Sequence, residues 1–389
     1  SGALSSLVPI APGRPSPPSC GPGVPSPCAT YAPQGIQANA KTPTVEEWNL
    51  TVEQELDRNS AFRVAYVGSH GYHGFLSIDP NSIPAQICAN ASGCAAGGVS
   101  VSGTTPATLV APGTRYIPAG PRPNSFLGAG FFWFTNGTSS YNALETEITH
   151  RLSQGLQFRA NYTWSRNLDI NSALTGAQAS NQAQMVMDRT NVRRDWGPSA
   201  QNVTSEASIS ARYELPIGKG RRWLGSAGGI EDHLASGWQL NGITTLLSGF
   251  PFTPLTGSNR SGDGDTRNPD RPSWKAGFAG PLILHTPAEW FNPNAFVLPP
   301  LGTFGNLGRG ALNGPGLADV DFSLLKNTAL TERTNLEFRA EFFNIFNRVN
   351  FGPPNTTVFS SGTINASAGF ISTLATNPRQ IQFGVKLIF

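Results

Sequence analysis

The sequence predicts an all-β protein: the wall of an antiparallel transmembrane β-barrel, with long extracellular loops and short periplasmic turns. Three observations carry this. Charged residues make up only 13% of the 389 residues, about half the roughly 25% of an ordinary soluble domain. Segments of about ten residues alternate apolar and polar side chains, the period of a strand with two unlike faces. The connections between these segments alternate short and long. A mean hydropathy of −0.20 excludes a bundle of apolar helices. The longest strongly apolar stretch, Phe126 to Phe134, is far short of the roughly 20 residues of a membrane-spanning helix.

Ser1 to Lys41 is dense in Pro, Gly and Ser and predicts no regular structure. Residues 1–44 are read as an extracellular loop and 45–389 as barrel strands. In VEEWNLTVEQEL, Trp48, Leu50, Val52 and Leu56 share one face, and Glu47, Asn49, Thr51, Glu53 and Glu55 the other. A turn at Asp57–Asn59 leads into AFRVAYVGS, completing a hairpin. SYNALETEITHRLS and LQFRANYTWSR repeat the unit around Gln154-Gly155. NVTSEASISARYEL and SGWQLNGITTLLS follow, joined by a basic turn that contains GKGRR. DVDFSLLKNTA, NLEFRAEFFNIF and RQIQFGVKLIF complete nine strands. Long connections rich in Gly, Pro and Asn run over about 70–139, 167–200, 249–318 and 347–378, lengths unusual in a compact soluble domain.

A soluble β-sandwich also has alternating strands. Against it stand the long loops, the mixed charges at mid-strand, and aromatics near strand ends at Trp48, Tyr66, Tyr141, Trp164, Tyr213 and Trp238, the placement of interfacial girdles. The net charge of +3 comes without a basic run, which argues against nucleic acid as a partner. Cys20 with Cys28 and Cys88 with Cys94 form two close pairs without a nearby His. Local disulfides of an oxidising compartment fit them better than zinc. The chain opens on Ser1 with no basic n-region or apolar h-region, which leaves open a removed signal or a non-native start.

The last strand alternates Ile381, Phe383, Val385, Leu387 and Phe389. A terminal aromatic closing such a strand resembles the signal read by the barrel-assembly machinery of the bacterial outer membrane; Phe383, Val385, Leu387 and Phe389 would carry it. With SYNALETEITHRLSQGLQFRANYTWSRNLD, YELPIGKGRRWL, GWQLNGITTLLSGFPFT, FGNLGRGALNGPGLADVDFSLLKN and FRAEFFNIFNRVNFG, the chain resembles the C-terminal part of Oar-like TonB-dependent receptors of the acidobacterial type. That resemblance implies a place in the outer-membrane lipid and a barrel of about 22 strands. It also implies an N-terminal plug and a Ton box that contacts TonB, energised uptake of an extracellular ligand such as a glycan or other large substrate, and no cofactor. Neither plug nor Ton box is recognisable in these residues. Nine strands traced back from a periplasmic C-terminus place the residues before Val45 outside, and an open sheet would leave two bare edges in lipid. A fragment of a larger barrel is therefore expected, the alternative being closure by a tenth strand at Phe126 to Phe134.

No catalytic constellation is legible, and the protein is read as a non-enzyme. His70 and His73 lie in GSHGYHG, read as a loop top. Ser323 to Lys326 matches S-x-x-K on a strand, the wrong context for that motif. In DGDTRNPD, Asp263, Asp265 and Asp270 faintly resemble a calcium loop, but Arg267 stands where an oxygen ligand is needed; a solvated loop is expected. Glu145, Glu147, Arg151, Arg159, Glu206, Arg212, Glu337, Arg339 and Glu341 are expected to face the lumen, holding a plug or lining a path. A rival function is a structural or adhesive surface protein whose barrel only anchors the loops.

Overall fold

In the computed structural model, which describes residues 19–23, 30–172, 183–265, 267 and 269–389, the alternating segments pair into a single antiparallel meander. Its strands are β1 (Thr44–Asp57), β2 (Ser60–Ile78), β3 (Phe131–Ser153), β4 (Leu156–Asp169), β5 (Ser205–Glu214), β6 (Trp238–Leu247), β7 (Leu317–Ala329), β8 (Asn335–Phe343) and β9 (Gln380–Ile388). Each pairs with its neighbours in the chain. Two short segments, Gln34–Ile36 parallel to β3 and Gly197–Pro198 on β4, bring the sheet to 11 strands. β1 pairs only with β2 and β9 only with β8, so among the described residues the sheet has two unpaired edges.

The register carries each face from β1 to β5. Glu53 stands opposite Arg63, Arg63 opposite Glu147, Glu147 opposite Asn161, and Asn161 opposite Ser208. On the other face the row Phe62, Ile148, Ala160 and Ile209 is apolar. That second face has no covering layer: Trp164 and Ile209, on interior strands, are 58% and 43% exposed. A sandwich would bury such a face; a membrane protein gives it to lipid. Gly68 lies opposite Trp48, and the space a Cβ would take is filled by the Trp48 indole. Gln154 and Gly155 both adopt positive φ, the tight turn that suits the right-handed twist of the β3–β4 hairpin.

Short turns join β1–β2, β3–β4 and β7–β8 at one end of the sheet. The longer β5–β6 connection at that end holds a one-turn helix, α1 (Ile230–Ala235). The four long connections emerge at the opposite end. Two of them share a core: Phe252, Trp290, Phe291, Phe296, Leu307 and Leu312 pack with Val358, Phe359 and Ile371.

Several expectations are corrected. GSHGYHG is not a loop top but lies within β2, where bulges at Gly71 and Gly74 let the strand continue to Ile78. Phe131 to Phe134 open β3 rather than forming a separate tenth strand, and they pair with the extension of β2. Within the Pro-rich start, Gln34–Ile36 is a short strand. β8 stops at Phe343 instead of running on through Phe346, because Asn344 turns the chain with positive φ.

Candidate functional site

The polar face of the sheet and the loop layer at its long-loop end hold the charged residues of the candidate site. Period-2 alternation places all nine predicted charged residues on strands or at their ends, and the register brings most of them together. Arg159 donates to Glu147 at 2.6 Å, and Arg63 approaches Glu145 at 4.0 Å. Arg212 pairs with Glu214 at 2.8 Å. Arg339 reaches Glu337 at 2.9 Å and Glu341 at 3.5 Å. Arg63 and Glu214 are partners that the sequence did not single out, although both alternate onto the polar face. Glu206 lies opposite Thr163, and Arg151 sits at the irregular end of the β3–β4 hairpin; neither joins an ion pair among the described residues. The Arg side chains of these pairs are substantially exposed, so each pair contributes about 0–1 kcal/mol to stability and chiefly orders the polar surface.

The aromatic assignments divide. Trp48, Tyr66 and Trp164 lie on the apolar face toward the long-loop end, and Tyr213 and Trp238 on the same face toward the short-turn end. Tyr141 is corrected: it stands opposite Ser69 and Asn167, on the polar face. Phe383, Val385 and Leu387 alternate on edge strand β9, and Phe389 follows the strand, 96% exposed. Cys88 and Cys94 form a disulfide; Cys28 lies outside the described residues.

The loop layer is held by charges that the sequence reading missed. Arg271 donates to Asp195 at 2.5 Å, and both side chains are 3% exposed. Asp195 also accepts from the Met187 amide at 3.1 Å. Arg309 donates to Asp169, to the Asp195 carbonyl at 2.6 Å and to Ser172 at 3.0 Å. Arg115 pairs with Asp188 at 2.6 Å, and Arg122 with Asp79 at 3.0 Å. Arg122 also donates to the Gly264 carbonyl. These contacts tie the β2–β3, β4–β5 and β6–β7 connections into one cap. For Asp188, hydrogen bonds from Arg115 and Thr190 outweigh burial, and its carboxyl lies below the usual range. No local pattern could have revealed these pairs, since their partners stand 43, 73, 76 and 140 residues apart.

Asp263, Asp265 and Asp270 are buried rather than solvated, which corrects that expectation. Burial raises Asp263 to about 6. Burial and the neighbouring Asp263 carboxylate raise Asp265 to about 8 and Asp270 to about 7. Their oxygens are engaged: Asp263 accepts from Asn259 and the Asp265 amide, Asp265 from the Arg267 amide, and Asp270 from the Ser261 amide. Among the described residues no group of three or more His, Cys, Asp or Glu is placed to hold a metal ion.

Recesses open around the cap, among them the following two. One, of about 280 Å³, lies at the long-loop end of β1 to β4 beside Thr44, Tyr72, Ser139, Asp169 and Gln201. The other, of about 510 Å³, is lined by Leu109, Arg115, Arg194, Pro300 and Phe304, with the Arg194 guanidinium 5.1 Å from the Phe304 ring centroid.

A family described as an outer membrane beta barrel domain matches residues 3–382. The chain belongs to this family. It is accordingly a protein of the bacterial outer membrane, with its apolar face toward lipid. Among solved structures, the chain is similar to the outer membrane transporter YddB from Escherichia coli, at 8% identity and a TM-score of 0.44, covering 93% of this chain and 34% of that one. It is also similar to the FrpB iron transporter from Neisseria meningitidis, at 10% identity and a TM-score of 0.38, covering 92% and 33%. A third is the ferripyoverdine receptor of the Pseudomonas aeruginosa outer membrane, at 10% identity and a TM-score of 0.35, covering 89% and 27%. The chain spans between about a quarter and a third of the length of these proteins. A comparison with curated proteins found no match.

Proposed function

We propose that residues 45–389 form a wall segment of a TonB-dependent transporter of the Oar-like, acidobacterial kind, and residues 1–44 an extracellular loop before it. The observation that carries this reading is a polar face with ion pairs on β2 to β5 and on β8, set between two unpaired strand edges and roofed by stapled loops. Edges such as β1 and β9 leave backbone N–H and C=O groups bare, and in lipid each such group costs several kcal/mol. Further strands, completing a barrel of about 22, remove that cost. The Glu and Arg rows then face the lumen, where they bind a plug domain, and the loop cap captures the ligand, a glycan or other large substrate. Phe383 to Phe389 serve as the assembly signal. Energy enters through TonB, and no reaction is catalysed.

The test uses the protein at its native length, solubilised from outer membranes. It is expected to retain the purified periplasmic domain of TonB on an affinity column. A photo-crosslinking residue in place of Arg339 is expected to join to a plug within the same polypeptide. Failure of both would overturn transport and leave a barrel that only anchors surface loops.

A further inference from the structure

The connection between β5 and β6 has features that a periplasmic turn does not need. Instead of hanging below the sheet, it folds outward onto the apolar face. Two side chains on that face hold it there. Trp238 Nε1 donates to the Leu234 carbonyl at 2.9 Å, and Lys326 Nζ donates to the His233 carbonyl at 2.7 Å and the Ser236 carbonyl at 2.5 Å. Trp238 and Lys326 stand opposite one another in the β6–β7 register, with Phe338 next in the row. They are therefore outside the barrel wall, and so is the C-terminal end of α1. An ammonium on an apolar face near the strand end is satisfied here by the last carbonyls of a helix, the favoured place for a cation. The other end of the connection is tied in as well, since the Lys219 amide donates to Asp232 at 2.8 Å and the Ser236 hydroxyl donates to the same carboxylate.

Four large apolar side chains of this connection stand exposed among the charged ones. Ile230 is 79% exposed, Leu234 68%, Trp223 55% and Leu224 52%. Arg221 and Arg222 are exposed beside Trp223 and join no ion pair among the described residues. Lys219 is exposed as well, while Glu231 and Asp232 sit in the first turn of α1, so the segment carries both signs of charge beside its apolar side chains and is not a strongly basic patch. Exposed Trp and Leu flanked by Arg, at the boundary of a lipid-facing surface, match the chemistry of the bilayer interface.

We propose that residues 216–237 form an interfacial anchor that binds phospholipid of the periplasmic leaflet. Trp223, Leu224, Ile230 and Leu234 enter the boundary between headgroups and acyl chains, and Arg221 and Arg222 contact headgroup phosphates. The occupant is lipid because the segment continues the lipid-facing surface of β6 and β7, to which Trp238 and Lys326 fasten it. The anchor fixes the depth of this side of the barrel and shields the Lys326 charge from the acyl core.

The experiment reconstitutes the native-length protein into phosphatidylethanolamine and phosphatidylglycerol vesicles containing lipid brominated near the top of the acyl chain. Subtracting the signal of Trp223→Phe isolates the Trp223 emission. The anchor predicts that bromolipid quenches this emission and that aqueous acrylamide does not. A triple variant, Leu224→Asp, Ile230→Asp and Leu234→Asp, is expected to reverse both results while the barrel keeps its heat-modifiable gel mobility. Quenching of native Trp223 by acrylamide and not by bromolipid would overturn the proposal. So would shielding from both quenchers, which would mean that a second copy or another protein covers the segment.

Discussion

Replacing Ile209 by Arg tests the assignment of the two faces at the most sensitive depth. Ile209 lies on the apolar face of β5, opposite Ala160 on β4 and Thr244 on β6. Trp164 follows Ala160 by four residues along β4, and Tyr213 follows Ile209 by four along β5 in the other direction. At about 3.3 Å per residue each girdle is about 13 Å away along the strand, or about 10 Å in depth for a tilt of about 40°. Within an apolar band about 25 Å tall, Ile209 is close to the midplane, where Arg costs about 2–4 kcal/mol. At about 1.4 kcal/mol per tenfold, the folding equilibrium falls roughly thirtyfold to a thousandfold. Ser208→Arg is the control on the polar face, between Asn161 and Thr245, with an expected change within about 0.5 kcal/mol. Tyr213→Arg, on the apolar face but at the girdle, is expected to cost about 0–1 kcal/mol. Urea titration of the native-length protein in phospholipid vesicles, followed by heat-modifiable mobility, measures all three. Equal costs at Ser208 and Ile209 would refute the assignment of faces; equal costs at Ile209 and Tyr213 would refute the assignment of depth.

Three further outcomes follow from the cap, its buried acids and the chain end. Arg271→Met leaves Asp195 buried without its partner, a loss of about 3–5 kcal/mol; surface proteolysis of intact cells is expected to cut within 183–204, and Asp195→Leu in the same chain to restore much of the resistance. Because Asp263, Asp265 and Asp270 have pKa values raised in the fold to about 6, 8 and 7, the folded loop binds more protons than the unfolded one. The contribution of these three acids to its stability is therefore greatest below about pH 4 and declines as pH rises through about 8. The protection factors of the Ser261 and Asp265 amides, which are exchange rates corrected for base-catalysed intrinsic exchange, should fall over that window, and Asp265→Asn should flatten the response. Deleting Phe389 is expected to lower the amount of protein in the outer membrane with little effect on the stability of molecules that do assemble, since the side chain is 96% exposed; unchanged levels would remove its role as an assembly signal.

The strands were legible because their information is local. In LQFRANYTWSR or NLEFRAEFF each residue declares its face through its neighbour two positions on, and a register slip by one would turn every apolar side chain to the wrong side. Where glycine interrupts that pattern, legibility failed. GSHGYHG reads as a loop, yet it continues β2 because the long β3 supplies ladder partners as far as Phe132 opposite Ile78. In the sequence Lys326 stands out only as the last residue of S-x-x-K; its place on the apolar face is explained by α1 and its C-cap, whose carbonyls satisfy it.

The sequence by itself determined the sheet, its two faces and the alternation of short and long connections, since side-chain period and turn chemistry act over a few residues. Only the tertiary structure decided that the long loops form one stapled cap, that DGDTRNPD is buried, and that the β5–β6 connection folds outward. Each of these depends on whether a charge or polar group is desolvated, and on which partner meets it there. Asp169 and Arg309 are 140 residues apart in the chain and in contact in the fold, and no pattern along the chain encodes that meeting.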